Sequence, residues 1–156
     1  MNQIMENLYL GNLSSSNIDN IKEIGITKVL SIIEDFAAPI YEEKDNIKHK
    51  VINIGDSENR NIIKYFGECL NFIKGSEKVL VHCSGGISRS ATIVIAYVMW
   101  VKKISFNDAF KFVFEKRAVG PNPGFKAQLE LFEKELVKND YDINKIKFNE
   151  FNYGKY

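Results

Sequence analysis

Two hydrophobic periods alternate along this chain. Short apolar runs of strand length occur at Asn7–Leu10, Lys28–Ile33, Lys50–Ile54 and Lys78–His82. Between them, apolar residues recur every three or four positions, the spacing of a helix with one buried face. Ile62, Ile63, Phe66, Cys69, Leu70 and Ile73 give the clearest such stripe, stopped by Gly75. A shorter helix is expected over Ile18–Ile24, with N-caps on offer in Ser14-Ser15-Ser16 and a closing Gly25. From about Ser90 the pattern is apolar all round, as in a helix buried on every side. Ser105 and Asp108 form a capping box for a helix through about Lys116, whose Phe106, Phe110, Val113 and Phe114 read as core. Asn122 and Pro123 then start a helix carrying Phe125, Leu129, Phe132 and Leu136.

Strands alternating with helices predict an α/β fold: a mostly parallel, mixed central sheet of about four to five strands flanked by helices. Residues 34–48, charged and containing Pro39, read as loop. One domain is expected over residues 1–138, with a polar tail carrying scattered aromatics from 139 to 156.

Composition narrows the function. With 21 basic and 20 acidic residues the net charge is +1, so bulk charge supports neither nucleic-acid nor membrane binding, and any anion must be held by a local arrangement. The longest strongly apolar stretch, Ala91–Val101, falls short of the roughly 20 residues a membrane span needs. Met1–Glu6 has neither the basic start nor the apolar run of a signal peptide. Two cysteines in a 45% hydrophobic chain argue against a disulfide scaffold and for a reducing, intracellular setting, cytoplasmic or nuclear.

The chemistry concentrates in His82-Cys83-Ser84-Gly85-Gly86-Ile87-Ser88-Arg89-Ser90, between a buried strand and a buried helix. Ligands of open α/β sheets bind at the carboxyl ends of the strands. A short loop entering a helix there turns successive N–H groups inward, an anion nest reinforced by the helix dipole. Gly85 and Gly86 permit its backbone angles, and Arg89 can close over the bowl with its planar fork. The helix N-terminus and the guanidinium favour the thiolate of Cys83, the nucleophilic form. Either Ser88 or Ser90 could donate a hydrogen bond to that sulfur. A buried structural cysteine beside a surface arginine would not require two glycines and two serines in this order.

Residues 82–90 resemble the His-Cys-x-x-Gly-x-Ser-Arg-Ser signature of the dual-specificity phosphatases, within the protein tyrosine phosphatase superfamily. Leu8-Tyr9-Leu10-Gly11, Ala91–Met99 and Arg117–Leu129 resemble further segments of that family, so the likeness covers roughly residues 4–136 and is closest to the small catalytic-domain members. It implies a phosphatase acting on phosphorylated protein without a cofactor or metal. In that scheme Cys83 attacks phosphorus, Arg89 and the amides of residues 84–89 hold the phosphate, and His82 fixes the loop.

A departing oxygen needs a proton, hence a placed carboxylic acid. Asp56, on the polar loop after the 50–54 strand, is the leading candidate, and the family's acid occupies that place; Asp35, Glu34 and Glu58 compete. Asn122 caps a helix and, by the resemblance, braces the loop. Cys69 is read as core and His49 as surface. Three other readings stay open: the same chemistry on a phosphoinositide, glycan or RNA end; a non-catalytic phosphate-binding module; and a different cysteine-loop enzyme. No basic residue stands at Ser84, Gly85, Ile87 or Ser88, which favours phosphoprotein over lipid. The complete cysteine, arginine and acid set disfavours a binding module, and the position of Cys83 late in the sheet disfavours the other loop enzymes. Nothing in the pattern specifies an oligomeric state.

Overall fold

The computed structural model describes residues 1–152. Its strands are β1 (Asn2–Met5), β2 (Leu8–Gly11), β3 (Lys28–Ile32), β4 (Lys48–Ile52) and β5 (Val79–His82). Its helices are α1 (Ile18–Ile24), α2 (Phe66–Ile73), α3 (Arg89–Lys102), α4 (Phe106–Phe114) and α5 (Pro123–Lys138). The sheet runs β1-β2-β5-β3-β4, parallel except for the antiparallel β1–β2 pair, which makes it the expected mixed five-stranded sheet. Because β2 to β5 are parallel, Gly11, Ile32, Ile52 and His82 end along one edge, and loops leaving that edge build the site.

Alternation along the strands divides the core. Leu30, Ile32, Val79 and Val81 face the large cluster beneath α2, α3, α4 and α5. Val29 and Leu80 face a smaller cluster with Ile21 and Ile26 under α1. α3 lies deepest, with Arg89 to Ala96 all buried, which explains its near absence of polar positions. No helix among the described residues is long and apolar enough to cross a membrane.

Several local expectations shift. β4 occupies residues 48–52 rather than 50–54: its last ladder bond is Ile33 N–H to the Ile52 carbonyl, and the chain of β3 turns away at Glu34. As an edge strand it tolerates Lys48, His49 and Lys50, which hid its start. β1 carries too few apolar residues to stand out; Asn7, in the left-handed region at φ 67°, turns it into β2. Residues 34–48 carry two short 3-10 turns, at Asp35–Ala37 and Glu43–Asp45. The first turn of the 62–73 stripe is 3-10, so α2 begins at Phe66. Beyond α5, Ile143, Ile146 and Phe148 are buried in the main core.

Candidate active site

The loop from Cys83 to Arg89 is shaped by what holds its carbonyls. His82 Nδ1 lies 3.0 Å from the Cys83 carbonyl, and Leu13 N–H donates to that of Ser84 at 2.9 Å. Arg117 takes the next two, Nη2 to Gly85 at 3.2 Å and Nε to Gly86 at 2.9 Å. Gly120 N–H donates to the Ile87 carbonyl at 2.9 Å, and Thr92 N–H and Oγ1 donate to that of Ser88. Six consecutive carbonyls are thus fixed from the outside. In a trans peptide the N–H opposes the C=O across the plane, so the amides of residues 84–89 point the other way, into one bowl. The Gly86 N–H donates to Cys83 Sγ at 3.2 Å, which places the sulfur at the floor. Gly86 itself cannot be larger: its φ is +67°, and a Cβ would meet the Gly11 carbonyl oxygen at 2.5 Å.

Ser90, in the first turn of α3, sets its Oγ 3.0 Å from Cys83 Sγ, whereas Ser88 Oγ donates to Asp56 Oδ1 at 2.7 Å. The two serines left open by the sequence therefore face different partners. Asn122 caps α5 by accepting from Phe125 N–H at 2.9 Å. Its Nδ2 donates to Asp56 Oδ1 at 2.9 Å and its backbone N–H to Ser88 Oγ at 3.1 Å. Asp56, Ser88 and Asn122 form one bridge between the 55–60 loop, the bowl and the start of α5.

Arg89 is buried, and its Nη1 donates to Glu34 Oε1 at 2.6 Å and to the Ile54 carbonyl at 2.9 Å. Its Nε finds no hydrogen-bond partner among the described residues, a buried donor that a bound oxyanion would satisfy. The backbone N–H of Glu34 and then the Arg89 guanidinium hold the Glu34 carboxyl below its ordinary pKa, so it stays charged. Of the four competing carboxylates, Asp56 bonds to Ser88 and Glu34 to Arg89. Asp35, Asp56 and Glu58 are all exposed, and the N–H of Asp35 donates to Asn53 Oδ1.

Cys69 is fully buried in the core, and burial drives its thiol pKa well upward. His49 is not the surface residue the sequence suggested. It is half-buried, edge-on to Tyr41 with ring centroids 4.9 Å apart, and its Nε2 lies 2.8 Å from Ser31 Oγ. Sequence reasoning weighed Glu34 as a competing acid and not as the partner of Arg89, and it missed the roles of Arg117 behind the bowl and Ser31 beside His82. Arg117 carried a usable signal, an arginine just ahead of Gly120-Pro121-Asn122. Ser31, a lone polar residue in an apolar strand, carried another.

A sulfur under six converging amides, with a buried arginine and a carboxylate bridged to the rim, defines a cysteine site built to take a tetrahedral oxyanion. The family model described as dual specificity phosphatase, catalytic domain, matches residues 8–135. The human Dual specificity protein phosphatase 22 is 37% identical over 143 residues, covering 88% of this chain and 76% of that protein. The Dual specificity protein phosphatase 1B of Arabidopsis thaliana is 37% identical over 145 residues, covering 89% of this chain and 85% of that one. In a longer relative, the MAP kinase phosphatase with leucine-rich repeats protein 1 of Dictyostelium discoideum, the 40% identical match spans only 16% of the length. Among solved structures, the human tyrosine phosphatase-like serine/threonine/tyrosine-interacting protein superposes with a TM-score of 0.82 at 35% identity, over 88% of this chain and 97% of that one. DUSP15 gives 0.80 at 32% identity, over 93% and 96%. The chain belongs to the dual-specificity phosphatases, protein phosphatases of the protein tyrosine phosphatase superfamily.

Proposed function

We propose that this chain removes phosphate from tyrosine and from serine or threonine of proteins, through a phosphocysteine intermediate on Cys83. The observation that carries the reading is the bowl, six carbonyls tied outward around a sulfur that Ser90 Oγ and the Gly86 N–H both contact. The phosphate's equatorial oxygens lie in the amides of residues 84–89 and against Arg89, donors already oriented before the charge develops. The Cys83 thiolate attacks phosphorus as the bond to the substrate oxygen breaks, and Asp56 gives that oxygen its proton. Ser88 and Asn122 both donate to Oδ1, which leaves Oδ2 to carry that proton. Water then attacks phosphorus, Asp56 takes the water's proton, and the P–S bond breaks to return thiolate and inorganic phosphate, with the Ser90 hydroxyl supporting the leaving sulfur.

No basic side chain stands at the variable loop positions Ser84, Gly85, Ile87 and Ser88, which favours a phosphoprotein over a phosphoinositide. Two free thiols fit a reducing, intracellular setting. Against a purely phosphate-binding role stand the thiol and the bridged carboxylate, neither of which binding alone requires.

The test is hydrolysis of para-nitrophenyl phosphate, with reductant and a chelator, by the wild type, Cys83→Ser and Asp56→Ala. Cys83→Ser is expected to show no turnover. Asp56→Ala should lose about 100-fold in kcat, within the usual contribution of a placed acid, while inorganic phosphate still competes. Turnover retained in Cys83→Ser would overturn the proposal. Phosphotyrosine and phosphothreonine peptides should then be cleaved faster than phosphoinositides.

A further inference from the structure

The sheet face under α1 is apolar at Val29 and Leu80 but carries three polar side chains on three adjacent strands: His49 on β4, Ser31 on β3 and His82 on β5. Ser31 and His82 are fully buried. Burying polar groups costs free energy unless their hydrogen bonds are complete, so such a row calls for a reason. His82 Nε2 lies 2.6 Å from Ser31 Oγ, and Ser31 Oγ lies 2.8 Å from His49 Nε2. At the other end, His82 Nδ1 meets the Cys83 carbonyl at 3.0 Å.

The direction of every proton in this row follows from its ends. The Cys83 carbonyl can only accept, so His82 Nδ1 carries the hydrogen. Burial is the main cause that lowers the His82 pKa to about 4, so the ring is neutral at ordinary pH and its Nε2 carries the lone pair. Ser31 must then donate its single hydrogen to His82. Towards His49 the hydroxyl can only accept, so His49 Nε2 carries a hydrogen. Each donor locks the tautomer of the next group, and the last bond fixes the first peptide of the bowl.

We propose that His49 is a positioning residue for Cys83, acting from the edge strand through Ser31 and His82. The inference rests on the phosphatase reading of the same loop, but its consequence is local and needs no substrate. Without the His49 donor the Ser31 hydroxyl loses one of its two partners and is free to turn, so its donation to His82 Nε2 weakens and the Cys83 carbonyl alone holds the hydrogen on Nδ1. The Cys83–Ser84 peptide is then anchored less firmly, and with it the Ser84 amide in its aim into the bowl.

The experiment compares alkylation of Cys83 by iodoacetamide at one fixed pH in the wild type, His49→Phe, His49→Gln, Ser31→Ala and the Ser31→Ala/His49→Phe double variant. Cys83→Ser serves as the blank, since Cys69 is buried. Glutamine keeps an N–H close to the place of Nε2; phenylalanine keeps the ring and loses the donor. His49→Phe and Ser31→Ala should each slow alkylation about five-fold, the weight of one neutral hydrogen bond. His49→Gln should stay near the wild type, and the double variant should match Ser31→Ala alone, because His49 acts only through Ser31. Wild-type alkylation in a folded His49→Phe, equal losses in the Gln and Phe variants, or additive losses in the double variant would each overturn the proposal. Should His49→Phe not fold, Ser31→Ala, which removes one oxygen atom, decides: alkylation unchanged there rejects the relay. Loss of alkylation control with phosphatase turnover absent from the wild type would separate failure of the enzyme reading from failure of this one.

Discussion

Arg89 has to satisfy two demands at once: it must be buried deeply enough to act strongly on a bound oxyanion, yet not be left as a lone buried charge. Glu34 answers the second demand by taking Nη1 at 2.6 Å, with the Ile54 carbonyl on the same nitrogen. That engagement holds the guanidinium plane while Nε stays available. Glu34→Ala should therefore weaken phosphate binding more than chemistry. We expect KM for para-nitrophenyl phosphate and the inhibition constant of inorganic phosphate to rise together, about ten-fold, as befits loss of a charge-assisted bond. Unchanged constants in this variant would mean that the bowl alone orients Arg89. The contrast between Glu34 and Ser90 also shows what can be read from a sequence. Cys83, Arg89 and Ser90 lie on one short loop and the helix start it enters, so their spacing carries their geometry. Glu34 lies 55 residues before Arg89, and only the β3–β5 pairing brings the two together. Asp56 stands between these cases: a strand-end loop narrowed the choice, and only the fold shows its bond to Ser88.

At the scale of elements, the helices were the most legible because a buried stripe repeats over two or more turns; α3 and α5 begin within a residue of where their caps and patterns put them. Edge strands were least legible, since β1 and the start of β4 have polar faces and their pairing partners are not visible in one dimension. What the pattern also could not show is how closely α5 approaches the 55–60 loop. Gly124, in its first turn, has no room for a side chain: a methyl group there would overlap the backbone carbonyl of Glu58. Alanine is ordinarily the better residue in a helix by about 1 kcal/mol, so Gly124→Ala would stabilise the protein if the loop were irrelevant. We expect the reverse, a loss of about 1–3 kcal/mol from overpacking, measured by urea denaturation. With it should come a fall in kcat at nearly constant KM, because the loop that must yield carries Asp56. A more stable and fully active Gly124→Ala would show that residues 56–60 can move without cost.

For the whole molecule, the segment after α5 decides where the folded unit ends. Read as sequence it has no period, because short 3-10 turns at Ile143–Lys145 and Phe148–Glu150 leave none. Folded, it closes the main core: Phe148 packs on Phe132 with ring centroids 5.9 Å apart and lies against Gly67, where a Cβ would meet its ring at 2.7 Å. Asn61 Nδ2 donates to the Phe151 carbonyl at 2.7 Å, and Trp100 Nε1 to that of Tyr141 at 3.0 Å. These contacts reach α2, α3 and α5 but no residue of the bowl or of the Asp56 bridge. Stability and catalysis should consequently separate. Phe148→Ala should cost about 3 kcal/mol, the low end for a buried aromatic truncation, a large part of the roughly 5–15 kcal/mol that holds a domain of this size together. Its urea midpoint should fall accordingly, while kcat, measured well below the new melting temperature, stays near that of the wild type. A matching drop in kcat under folded conditions would mean instead that the segment transmits strain through α2 to the 55–60 loop; an unchanged midpoint would mean that residues 143–148 add no stability to the core they cover.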